Sequence, residues 1–171
     1  MAVIEIEGRL LQGQTLEIRI DGNIVESGVA QPVTIKVTGD LANLTTNLAA
    51  SVHGHVHGDV KVTGHLSCAN IDGDVEAGGS VTCGDVTGDV EAGRDVNCAD
   101  IEGSVDAGRD VSCGSVAGAV EAGNDVACTT VAGDVHSAGD IFCTDIEGRT
   151  VALNRLLEQN PDLGTPGDSE A

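Results

Sequence analysis

Six cysteines, Cys68, Cys83, Cys98, Cys113, Cys128 and Cys143, follow one another at intervals of fifteen residues, and the rest of the sequence repeats with them. A short fixed period is the mark of a solenoid, in which each repeat buries its apolar face only against its neighbours. From Gly58 the frame holds through six copies, beginning at Gly58, Gly73, Gly88, Gly103, Gly118 and Gly133. The third position reads Val60, Val75, Val90, Val105, Val120, Val135; the ninth Leu66, Val81, Val96, Val111, Val126, Ile141; the fourteenth Ile71, Val86, Ile101, Val116, Val131, Ile146. These are three apolar ladders. Small residues at the fifth position and the cysteines at the eleventh complete a local alternation of period two, which marks half-buried strands. Glycines at the first, sixth and often seventh positions supply the corners.

Each copy therefore reads as one coil with three short sides. Fifteen extended residues reach about 50 Å at most, so the coil encloses a slender triangle with no room for large side chains. A single Phe and no Trp or Tyr among 171 residues agree with that. Fifteen residues are also too few for a strand, a crossover helix and a second strand. The expected fold is all-β: a single-chain parallel β-helix, right-handed by the usual crossover preference, with about fifteen residues per coil.

The expected organisation is a strand-rich N-terminal cap over 1–38, a solenoid over 39–148 with regular coils from 58 to 147, a capping helix over 149–160 and a disordered acidic tail over 161–171. AVIEIEG, TLEIRI and NIVESGV alternate as strands, with Asp21-Gly22 or Gly22-Asn23 as the hairpin turn. TVALNRLLEQN is the helix candidate, and Phe142, at an otherwise polar outward position, is its expected packing partner. Caps answer the unpaired strand edges that a solenoid leaves at its ends.

Cysteines stacked on successive rungs stand about 4.8 Å apart with parallel Cβ vectors, whereas a disulfide needs Cβ atoms about 3.8 Å apart. They are expected to be reduced, buried, small hydrophobes forming a structural ladder. No stretch is long and apolar enough for a membrane span, and MAVIEIEG lacks a basic segment leading into an apolar one. A soluble, cytoplasmic protein is expected, with no membrane partner.

The chain carries a net charge of -20. Over 58–147, eighteen acidic residues face three basic ones, Lys61, Arg94 and Arg109, a net of fifteen negative charges. Six rungs span about 29 Å, so the coils carry about one charge per 2 Å, close to the ~1.7 Å of duplex DNA. Two ladders stand out: Glu76, Glu91, Asp106 and Glu121 at the fourth position, and Asp95, Asp110, Asp125 and Asp140 at the eighth. Stacked like charges repel, so their retention calls for cations or a basic partner. They form a candidate acidic interaction face, and one reading is an acidic DNA mimic or inhibitor, of phage origin, that binds a basic protein and not nucleic acid itself. The plainer reading is solubility of a narrow rod.

His53, His55 and His57 alternate along one segment, and residues two apart in a strand share a face. Three imidazoles on one face are candidate ligands for Zn, Ni, Cu or Fe; the alternative is a solvated polar strand. No catalytic residue is expected. The chain lacks G-x-S-x-G, H-E-x-x-H and P-loop motifs, and carboxylates repeated in four successive coils reflect lattice regularity where catalysis needs a unique site. No cofactor is expected.

The coils GDVEAGGSVTCGDV, GDVEAGRDVNCADI and GDVHSAGDIFCTDI resemble the Gly-Asp-Val-rich repeats of bactofilin-like proteins, the polymer-forming cytoskeletal family of single-chain β-helices. The resemblance covers residues 39–147. It implies a nucleotide-free structural protein that associates with copies of itself. The fifteen-residue coil, the cysteine ladder and the terminal additions are this chain's own.

Overall fold

A computed structural model describes residues 3–9, 15–20, 23–28 and 31–153, with side chains from Ile35 to Leu153. The expected all-β parallel solenoid is what it shows. Two sheets carry the coils, and each has eight parallel rungs among the described residues. In one, the third to fifth positions pair coil to coil, Val75 with Val90, Val90 with Val105 and Val105 with Val120. In the other, Val81 pairs with Val96 and Val96 with Val111. A third side is held mainly by single bridges, Val56 to Ile71, Ile71 to Val86, Val86 to Ile101 and Ile101 to Val116.

The three ladders named from the sequence form the core. From Val60 to Val135 every third-position valine is at most 2% exposed, and Leu66, Val81, Val96, Val111 and Val126 are equally buried. The alternation of period two therefore does what it predicts: in Val75–Ala77, Val90–Ala92 and Val105–Ala107 the outer residues point inward and the middle one outward. Cys98, Cys113 and Cys128 are buried in register, while Cys68, Cys83 and Cys143 are half-buried, and all six are free thiols. Hydrogen bonding with Cys68 and Cys98, together with burial, pushes the Cys83 thiol far up, and burial raises Cys143. Thiols raised in this way, Cys83 and Cys143, are poor nucleophiles.

The first-position glycines are needed for space. A Cβ on Gly103 would lie 2.4 Å from the carbonyl oxygen of Gly88, and one on Gly118 would lie 2.6 Å from that of Gly103. Two backbones touch at this corner, and only hydrogen fits between them.

The strand-rich N-terminal part consists of β1 (Val3–Arg9), β2 (Thr15–Ile20) and β3 (Asn23–Gly28). It is followed by β4 (Gln31–Thr38), β5 (Leu44–Thr46) and β6 (Ala49–His53). β1 runs antiparallel to β4, and the β2–β3 hairpin runs antiparallel to β5, so both sheets end in antiparallel edges on this side. Ile20 pairs with Asn23, which leaves the two-residue link Asp21-Gly22; those two residues lie outside the described ones. β4 pairs in parallel with β6, so parallel stacking begins one rung before residue 39.

The other boundary differs as well. Thr150–Ala152, placed in the capping helix by its sequence, is a strand that adds to Val135–Ser137. Pairing to a strand fifteen residues back outweighs local helix propensity. The remainder of 149–160, and the tail 161–171, lie outside the described residues. Phe142 does point outward and is 62% exposed.

Val96 is 1% exposed between Val81 and Val111. Val96→Asp buries an unpaired carboxylate, and we expect it to lower unfolding stability by about 4 kcal/mol in urea titrations. Cys98→Ala, which removes one sulfur from the same wall, is expected to cost about 1 kcal/mol and leave the fold intact.

Candidate functional site

The polar residues of the repeat fall on three corners and three outward faces. At the second position Asp59 accepts the backbone N–H of Asp74 at 3.1 Å, Asp74 that of Asp89 at 2.9 Å, and Asp89 that of Ser104 at 2.7 Å. At the eighth, Asp110 accepts from the N–H of Asp125 at 3.1 Å and Asp125 from that of Asp140 at 2.7 Å. At the thirteenth, Asp85 accepts from Asp100 at 3.4 Å and Asp100 from Ser115 at 2.8 Å. Each carboxylate thus takes the amide of the residue one coil later at the same position. The corners cannot use the strand ladder, and the aspartates close the backbone hydrogen bonds left over there.

This changes the meaning of the eighth-position ladder. Asp95, Asp110, Asp125 and Asp140 are half-buried. Asp110 and Asp125 each accept the backbone N–H of the next residue in the ladder, and Ser80 donates its hydroxyl to Asp95 at 3.1 Å. Arg109 approaches Asp95 at 3.7 Å. From Asp110 to Asp140, interposed amides offset the like-charge repulsion that the sequence alone makes look unfavourable. Glu76, Glu91, Asp106 and Glu121 behave differently: they stand in register on a sheet face and are exposed. Lys61 pairs with Glu76 at one end of that row, and the His136 ring lies 3.9 Å from Glu121 at the other.

The histidine run divides. His53 ends β6 and is exposed. His55 and His57 flank the buried Val56, so both rings leave the coil on its outer side. Their rings stack with centroids 4.6 Å apart and planes 20° from parallel. Both reach Asp72, His55 Nε2 to Oδ1 at 2.7 Å and His57 Nδ1 to Oδ2 at 3.1 Å. The third member of this cluster is therefore Asp72, and His53 stands apart from it. No family model, curated protein or solved structure matches the chain. The site must be read from its own geometry.

Asp72 lies fifteen residues after His57 and so sits beside it on the next coil, a relation visible in the sequence once the frame is carried back past Gly58. The frame is obscured there by one extra residue. Ser51 pairs with Ser67 and Val56 with Ile71, so the corner holding His53, Gly54 and His55 is one residue longer than its successor. Gly39, at the same corner one coil earlier, has φ 108°, a left-handed conformation that suits glycine. Hydrogen bonds from His57, then His55, hold the Asp72 carboxyl below the usual carboxylate range.

The remaining relief is shallow. On the third side a trough of about 410 Å³ opens where Ser115, Ala117, Thr130 and Ala132 are small, with Asp100 and Glu102 at one end and Asp145 and Glu147 at the other.

Two measurements test the corner assignment. Asp125→Ala removes the acceptor for the Asp140 amide and is expected to cost about 1 kcal/mol, whereas Asp125→Asn keeps the acceptor and costs a few tenths. Asn43 and Asn70 already serve this way, accepting the amides of Asp59 and Asp85. Backbone amides of Asp125 and Arg149 hold Asp110 and Asp134, respectively, below the ordinary carboxylate range. A depressed folded-state pKa gives stability that is present above the unfolded value of about 3.9 and is lost as pH falls through the lower folded value. Carboxyl NMR titration is expected to place both midpoints below that value, with their stabilisation disappearing on further acidification.

Proposed function

We propose that the protein is a structural scaffold element, a rigid acidic rod that associates with further copies of itself. One observation carries this reading: the interior is a continuous column of Val, Ile, Leu, Ala and Cys, and the conserved-by-repetition polar residues bind one coil to the next. Repetition of the same contacts suits stiffness and extension. Among the described residues it supplies no unique constellation of nucleophile and base, and the reading assigns no reaction to the chain. The β-solenoid and its Gly-Asp-Val coils support a bactofilin-like part in a self-assembling structure.

The two ends of the rod differ. Antiparallel strands β1 and β3 edge one end. At the other, Ile141, Cys143 and Ile146 are only partly buried, and Phe142 and Leu153 are 62% and 52% exposed. Apolar surface of this kind supports association there. Six free thiols suit a reducing compartment, which supports a cytoplasmic setting. Among the described residues no helix is long and apolar enough to cross a membrane.

The exposed row Glu76, Glu91, Asp106 and Glu121 favours a second reading, in which that face docks on a basic protein. Light scattering at low and high salt, with negative-stain imaging of the same samples, separates the two. A scaffold forms a discrete assembly or filament that survives high salt and is weakened by Phe142→Ser. A monomer at every concentration and salt overturns it, and a basic partner whose affinity collapses as salt rises establishes the second reading instead.

A further inference from the structure

The corner around Gly54 is the place where the repeat pattern is broken by imidazoles. We propose that His55 Nε2, His57 Nδ1 and one oxygen of Asp72 form a three-ligand site for a first-row divalent transition-metal ion, with zinc as the expected occupant.

The distances suit it. Zinc bonds to imidazole nitrogen and carboxylate oxygen are about 2.0–2.2 Å, so ligand atoms of a tetrahedral site lie about 3.3 Å apart. The two observed separations, 2.7 and 3.1 Å, run to different oxygens of Asp72, so ligation through one of them takes a turn of the carboxylate and an opening of a few tenths of an ångström, and all three ligand atoms already lie within 4.8 Å of one another. Two imidazoles with one carboxylate select Zn, Co, Ni, Cu or Fe over Ca and Mg, which take all-oxygen sets. The remaining coordination position is open to water.

The backbone under the ligands is fixed in three places. His55 donates its N–H to Asp40 Oδ1 at 2.9 Å, His57 donates to the carbonyl of Leu41 at 2.9 Å, and Asp72 donates to the carbonyl of Val56 at 2.9 Å. Ring stacking aligns the imidazoles without further ordering. Such pre-organisation lowers the cost of binding. Because the histidines belong to one coil and Asp72 to the next, the ion ties the lengthened corner to the first regular coil.

The test uses the full chain, reduced and stripped of metal by chelation, titrated with Zn²⁺ by calorimetry and with Co²⁺ by visible absorption. One ion per chain is expected, and saturating Zn²⁺ raises the melting temperature. His55→Ala, His57→Ala and Asp72→Asn each weaken binding at least tenfold, while His53→Ala and His65→Ala leave it unchanged. Circular dichroism of each variant shows whether its coil is intact, and the near-isosteric Asp72→Asn decides the matter should a histidine variant unfold. The Co²⁺ complex shows ligand-field bands without the intense near-ultraviolet absorption of cobalt–thiolate bonding. Absence of saturable binding overturns the site. So does displacement of Zn²⁺ by excess Ca²⁺, which assigns the ion to the acidic faces, or a thiolate spectrum, which assigns it to the cysteines.

Discussion

Everything in this rod depends on the amide that each corner presents to the coil before it. Strand pairing satisfies the flat sides, but a triangular coil turns three times, and each turn leaves backbone donors outside the ladder. Aspartate, asparagine or serine at the second, eighth and thirteenth positions accepts them from fifteen residues away. The glycine at the first position lets the two chains come close enough for that exchange. Gly-Asp-Val is thus a single device: a contact without a side chain, an acceptor, and an inward anchor.

Much of this was legible before any coordinates. The period gave the coil, the three ladders gave the core, and cysteines at one position gave an in-register thiol column that the structure keeps free. The acidic residues were harder. Charge counting treats Asp110 and Asp125 as surface charges that repel, because an amide one coil away is invisible in a local window. Asp72 is fifteen residues after His57 and could have been found by carrying the frame back, but one added residue between Ser51 and Val56 takes His53 out of that count and so out of the cluster. Thr150–Ala152 looks helical for a similar reason: its partner is fifteen residues earlier, and only the stack reveals it.

The same corner chemistry bears on function. An acidic surface invites a reading as a mimic of a nucleic acid, but the eighth-position row is half-buried and Asp110 and Asp125 are occupied with backbone amides, which leaves Glu76, Glu91, Asp106 and Glu121 as the exposed row of the two. Lys61 and His136 close that row at either end. A short, bounded strip of charge is a modest docking surface, whereas the column of repeated contacts runs the length of the molecule. That difference in extent is what favours a mechanical part over a competitive one.

Because each coil meets only the coil before and the coil after, with the same contacts on both sides, coils are interchangeable units of length. Duplicating the codons of one repeat inserts a rung whose glycine, aspartate and valine find their partners already in place, and it lengthens the rod by about 4.8 Å. Loss of a repeat shortens it by as much. Reach can therefore change during descent by whole steps, with no redesign of either end.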